Sequence, residues 1–326
     1  MTLLLSLAAA QSIDFTFDEP SMEQAGLDPD QVEQSFGSGL SEELHLLDDL
    51  DYLEDMAIAA ALSSHGMGVD YASNPQKFVL GGSVGSAVSG AGAQLGRGDG
   101  LLPEGGFAFQ VSAMAGVNLG ALAEDDSFFR RFVVYGNGMA LSTGRDQPFQ
   151  GDLLNYGGHL QVQLVKPRIG ALAEWGGLAV TGGYEFSSYR LLLTQALPMT
   201  QGDLTWNATG GYQIDAISQT VPLELSTNVR LAFLTLYAGV GQDFLNATSV
   251  RSDISLTGPL TTSVQGNDVT LANLAVTHGQ SVTSLDQLPR GFAGVQVNLF
   301  MVKAYGHLNA TLDGGFGGNV GLRVAL

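Results

Sequence analysis

The chain has no cysteine at all. Disulfide scaffolds, thiolate metal sites, thiol redox chemistry and cysteine nucleophiles are therefore excluded. Basic residues are scarce, 13 Lys+Arg against 32 Asp+Glu for a formal net charge of −19. A net charge of that sign disfavours electrostatic binding of nucleic-acid phosphates, so no nucleic-acid partner is expected. Charge of either sign is thin at 14%, well under the usual ~25%. No apolar run approaches the ~18 residues that a membrane-spanning helix needs. The five histidines, His45, His65, His159, His278 and His307, lack the i, i+4 spacing of a helical zinc site, so no metal or cofactor is expected. No G-x-S-x-G elbow singles out a serine nucleophile, and the expectation is a protein that is not an enzyme.

What is present is unevenly spread. Residues 1–76 hold fifteen acidic residues and no Lys or Arg, Lys77 being the first base, whereas residues 77–326 carry 17 acids and 13 bases. An acidic leader thus precedes a nearly neutral body rich in the chain's 44 glycines. Met1–Ala10 (MTLLLSLAAA) is a short apolar run ending in small residues, and it reads as a signal peptide or its remnant despite the missing basic start. Residues 11–76 read as an acidic leader. Asp28 before Pro29 has N-cap and first-turn chemistry, which predicts a short helix over Pro29–Ser35. Ser41 followed by Glu42 and Glu43 predicts the start of a better helix over 41–63. Its stripe Leu46, Leu50, Leu53 marks the face that docks on the body, and a plug or a docking element for another envelope protein is the sharper reading of it.

From about Phe78 the hydrophobic period is two. Phe107, Phe109, Val111, Ala113, Ala115, Val117, Leu119 and Ala121 alternate with small or polar residues, Met114 excepted. Apolar parity switches after Phe233 and again near Phe300–Met301, as tight hairpins leave in a sequence. The connections 91–105, 144–153 and 251–290 read as longer loops, though 268–277 has the pattern of a further strand. A soluble sandwich would need a charged outer face; here the polar parity is Gly, Ser, Thr, Gln and Asn, and the strands are long. The pattern predicts an all-β fold, a transmembrane antiparallel β-barrel of about twelve strands (range ten to fourteen) over 78–326, behind a partly helical leader. Strands starting near 204, 221 and 234 put the Phe233 turn on the outer side by count, although its tightness suits the periplasmic side. Tyr184, Phe186, Trp206, Tyr212, Tyr237 and Tyr305 are candidate interfacial aromatics, some of which can point inward. Glu185, Glu224, Arg230, Asp243, Lys303 and Arg323 fall on the polar parity and are the candidate lumen-lining residues.

In the last stretch, Val320, Leu322, Val324 and Leu326 alternate with Gly321, Arg323 and Ala325 up to the terminus. With that strand the body resembles bacterial outer-membrane β-barrel proteins, porins and transporters among them. The resemblance implies an outer-membrane location, membrane lipid as surroundings, and recognition by the barrel-assembly machinery through residues 316–326, with Leu326 departing from the Phe or Trp that many members carry. Leader followed by barrel, with Asn74-Pro75 near the leader's end, is similar in layout to long-chain fatty-acid outer-membrane transporters, which implies an N-terminal plug. Two functions stay open at this point. One is a channel or transporter for small or apolar solutes, favoured by small inward residues such as Ser112, Gly116, Thr181 and Gly183. The other is a structural or adhesive envelope barrel whose leader (11–76) or outer loops bind a partner protein.

Overall fold

A computed structural model describes residues 5–45, 50–66, 77–90, 105–123, 128–143, 149–170, 173–246, 248–284, 287–312 and 314–326. The alternating body forms β2 (Phe78–Ser89), β3 (Gly106–Asn118), β4 (Phe132–Ser142), β5 (Phe149–Val165), the two-residue β6 (Arg168–Ile169), β7 (Glu174–Gln201), β8 (Leu204–Leu231), β9 (Leu234–Leu245), β10 (Thr248–Val264), β11 (Asn267–Ser284), β12 (Gln287–Leu299), β13 (Val302–Thr311) and β14 (Phe316–Ala325). The leader supplies β1 (Leu5–Phe17), α1 (Glu19–Ala25), α2 (Pro29–His45) and α3 (Leu50–Ser63).

All fourteen strands belong to one antiparallel sheet. Ten of them close on themselves: β2–β3–β4–β5–β7–β8–β9–β12–β13–β14, with β14 pairing back to β2 from Phe316↔Val88 to Ala325↔Val79. Closure leaves the ring without a free edge. β8 changes partner along its length. Its lower half, Thr220–Leu231, pairs with β9, and its upper half pairs with β10, Ile217↔Ser249 through Leu204↔Thr262. The sheet therefore branches, and β10, β11 and β1 continue the β7–β8 hairpin beyond the barrel as an upper module.

The parity switches are hairpins: Leu231↔Leu234 around Ala232 and Phe233, and Leu299↔Val302 around Phe300 and Met301. Ala232 and Phe300 sit at φ 50° and 56° to make those turns. Residues 204–231 are one strand rather than two. Joining them removes the conflict over Phe233, whose turn lies at the same end as Phe78 and Leu326. Among the described residues the sheet has fourteen strands, ten in the ring. The stretch 251–290 is not a loop: it forms most of β10, all of β11 and the start of β12.

The helices also differ from the sequence expectation. α2 runs from Pro29, with Asp28 Oδ1 accepting the Asp30 N–H at 3.0 Å, straight through Ser41 to His45. Val32, Phe36 and Leu40 are buried at i, i+4 and i+8, and that stripe carries the helix past Gly37 and Gly39. The second helix then begins at Leu50 rather than Ser41. Leu5–Ala10, expected as a signal segment, open strand β1.

The barrel is inside out relative to a water-soluble protein. Leu80, Val84, Phe109, Leu160, Leu223, Leu236, Leu308, Val320 and Leu322 are exposed, while Gln110, Asn155, Glu185, Asp243, Arg290, Gln296 and Arg323 are buried. On β5 the outward apolar run goes from Leu154 to Leu164. Ten steps of about 3.3 Å at a tilt near 40° project to about 25 Å, the height of a lipid-facing band. Above it, Asp152, Arg190, Asp215 and Arg251 stand side by side on β5, β7, β8 and β10. Arg190 donates to Asp215 at 2.7 Å, a hydrogen bond that raises the guanidinium pKa. Tyr184 and Phe186 face lipid, but Trp206 and Tyr212 belong to the upper module's core and Tyr237 and Tyr305 to the lumen. No helix is long and apolar enough to cross a membrane among the described residues.

Candidate functional site: a helix in the lumen

α3 descends into the barrel from the upper-module end, opposite to Phe78 and Leu326. Leu53, Met56, Ala57, Ala59, Ala60, Ala61 and Leu62 are all buried, as a helix wrapped on every side requires. They pack on Ala87, Ala108, Leu153, Ile214, Ala216, Leu245, Val250, Val282 and Leu288. The fit explains the small residues. A ten-stranded ring is roughly 20 Å across between backbones, and a helix with side chains needs roughly 10 Å of that. Alanines thin the helix, and the wall recedes where it comes nearest. A Cβ on Gly106 would collide with the Asp55 carbonyl, and one on Gly317 would stand 3.5 Å from Leu62 Cβ.

Polar contacts fix the helix in depth and rotation. At its upper part Ser89 Oγ donates to Asp55 Oδ1 at 2.9 Å, and the Phe107 N–H points at Met56 Sδ at 3.2 Å. At its lower end Ser63 shares a hydrogen bond with the Tyr189 hydroxyl, and Asn319 Nδ2 donates to the His65 carbonyl. His65 Nε2 meets Asp243 Oδ2 at 2.7 Å, both side chains being buried.

Asp243 is part of a larger cluster. Arg290 Nε donates to its Oδ2 at 2.9 Å, Arg290 Nη1 to Asn309 Oδ1 at 2.9 Å, and Arg290 Nη2 to Glu224 Oε1. Burying charges this way is tolerable only because opposite charge and hydrogen bonds converge. A second cluster joins Glu185 to His159 Nε2 at 2.8 Å and to Asn137 Nδ2 at 3.3 Å, with Tyr135 stacked on the imidazole. A third holds Arg323 on Gln296 and over the Tyr305 ring. The lumen has two zones: an apolar upper zone around α3 and a charged, hydrogen-bonded zone beneath it.

Of the residues singled out from sequence, Glu185, Glu224, Asp243 and Arg323 lie buried in the lumen. Glu224 and Asp243 converge on Arg290, whereas Glu185 and Arg323 belong to separate clusters. Arg230 is half-buried at the lower rim beside Glu174, 3.3 Å away, and Lys303 is half-buried near the same rim. Leu53 packs in the lumen, Leu50 is the first residue of α3, and Leu46 and Asn74-Pro75 lie outside the described residues. Sequence reasoning missed Arg290 and His65. Carrying the outward parity of Val295, Val297 and Leu299 back along β12 puts Arg290 on the inward set, so its signal was present. His65 has no such signal, because only the descent of α3 brings it to Asp243. Among the described residues, no three His, Asp or Glu gather as a metal set.

The profile of the Lsa36-like family matches residues 28–326, α2, α3 and the whole barrel included. The chain belongs to the Lsa36-like family. No curated protein matches the sequence. Solved structures similar to this Lsa36-like chain include the translocator domain of the autotransporter NalP from Neisseria meningitidis, at 9% identity and a TM-score of 0.32, covering 78% of this chain and 89% of that one. The CymD monoaromatic hydrocarbon channel is 9% identical with a TM-score of 0.30, covering 83% and 98%. Acinetobacter baumannii Omp33 is 11% identical with a TM-score of 0.27, covering 78% and 99%. At that level the likenesses are loose. The closed ring and its inside-out polarity are what make the Lsa36-like chain an outer-membrane-type β-barrel.

Proposed function

We propose that this Lsa36-like protein is an outer-membrane channel held shut by its own N-terminal helix. The observation that carries the reading is the two-zone lumen. Without α3, the wall residues Ala87, Ala108, Leu153, Ile214, Leu245 and Leu288 would line an apolar mouth leading down to a polar constriction. A mouth of that kind suits small solutes with apolar character, and the helix that fills it is tied at its lower end by a few polar contacts. Those ties are local enough to break without unfolding the barrel, because the ring's own hydrogen bonds do not depend on them. In the same reading the protein sits in lipid through its outward band, and β14, residues 316–326, is the segment offered to the barrel-assembly machinery.

Planar-bilayer conductance tests the reading. The full chain is expected to be silent or to flicker, and a chain lacking residues 12–66 is expected to give steady openings. A steady pore in the full chain, or no current from the shortened barrel, contradicts it. A second reading, an adhesive envelope barrel, is favoured by one observation: β1, α1, α2, β10 and β11 build their own core around Trp206, Leu260, Leu271 and Leu274 beyond the barrel. A module of that size offers a surface to a partner protein, and no current from either chain would favour it.

A further inference from the structure

The lower rim is unlike the rest of this acidic molecule. Two neighbouring connections, residues 119–131 between β3 and β4 and residues 166–173 between β5 and β7, bring Arg130, Arg131, Lys166 and Arg168 to one quadrant of it. The same connections expose Leu122, Phe128, Phe129 and Ile169, with Ile169 89% exposed. The cations are held at the level of the rings: the Arg131 guanidinium carbon is 5.8 Å from the Phe128 centroid, and that of Arg168 is 5.9 Å from the Trp175 centroid. Lys166 and Arg168 are exposed and Arg131 is half-buried. The nearby acid Glu174 is engaged by Arg230 at 3.3 Å. Glu124, Asp125 and Asp126 of the first connection lie outside the described residues.

This quadrant sits where the outward apolar band ends. Aromatic and aliphatic side chains there enter the acyl–headgroup boundary, and cations beside them meet phosphates. We propose that Arg131, Lys166 and Arg168, with Phe128 and Ile169, form a docking site for the headgroups of anionic phospholipid in the leaflet at the tight-turn end. The inference rests on the barrel lying in a membrane, not on its being a channel. The partner is a phospholipid rather than a protein because the apolar residues continue without a break into the lipid-facing wall. It is anionic because three cations share one quadrant of the rim in a chain of net charge −19.

The test is lipid retention by the full chain. Purified protein in a neutral detergent is incubated with equal amounts of phosphatidylglycerol and phosphatidylcholine, and bound lipid is counted by native mass spectrometry. Phosphatidylglycerol is expected to be enriched at least threefold. The enrichment is expected to fall to near one in the R131Q/K166Q/R168Q variant, whose folding is followed by heat-modifiable gel mobility. The R190Q/R251Q variant at the upper rim is expected to keep it. Equal retention of both lipids by the unaltered chain, which would leave the patch to a protein partner, overturns the proposal. So does an unchanged enrichment in the lower-rim variant, or an equal loss in the upper-rim one.

Discussion

A guanidinium with no exposed side-chain surface, as Arg290 has, is stable in a barrel wall because Asp243 and Glu224 both meet it. Removing it strands two buried carboxylates. Arg290→Met is therefore expected to destabilise the barrel by about 3–5 kcal/mol. Replacing all three groups, R290M/D243N/E224Q, is expected to recover most of that. Urea titration of the detergent-solubilised protein, followed by gel mobility, checks both; equal stability of the single and triple variants would show that the cluster is not coupled. At this scale the sequence was partly legible. Parity alone identified Glu224 and Asp243 as inward, because an outward band this apolar tolerates few charges. It could not say that Asp243 also receives His65 from the leader, since no local pattern records a contact made by a helix threaded through the ring.

Elements were legible where one rule acted alone. The parity switch at Phe233 marks a hairpin whose turn holds a non-glycine residue at positive φ, Ala232 at 50°. Ala232→Gly is accordingly expected to stabilise by about 1 kcal/mol, read as a rise in the urea midpoint; a fall would mean that the left-handed conformation carries no cost there. Elements were misread where tertiary packing overrides local signals. Gly37 and Gly39 argue against a helix, yet the buried Val32, Phe36 and Leu40 hold α2 together. Within α3 the same logic gives a test. Leu53 and Leu62 are buried against the barrel wall, and Leu→Ala at such sites costs about 2–5 kcal/mol each. L53S/L62S is expected to free the leader, so that limited proteolysis cuts residues 12–66 many times faster than in the unaltered protein while the barrel keeps its gel mobility. Equal cleavage rates would mean that α3 does not depend on the wall.

Across the whole molecule, the barrel announces itself by apolar residues facing out and polar ones facing in. The upper module follows the opposite, water-soluble rule. Ile254, Leu256, Leu274 and Val276 are buried, and Ser255, Thr257 and Thr277 face solvent. Two opposite polarity rules on one continuous sheet made 251–290 look like a loop and split β8 into two strands. The branch point near Ser218, where β8 exchanges β9 for β10, is where one rule replaces the other. The same architecture sets α1, α2 and the upper end of α3 opposite to Phe78 and Leu326, so that the leader reaches the lumen from the far side of the barrel it precedes.

Whether α3 closes the lumen can be tested directly, because the sequence holds no native cysteine. A Cβ placed at Gly317 would stand 3.5 Å from the Leu62 Cβ, within the range a disulfide spans. In the L62C/G317C variant the oxidised bond would fasten helix to wall as the only disulfide in the chain. Single-channel recording in planar bilayers is expected to show no openings from the oxidised variant and restored flickering after reduction, up to the level of the full chain. Openings of equal size and frequency in both redox states would contradict the claim, because current would then pass without moving the helix.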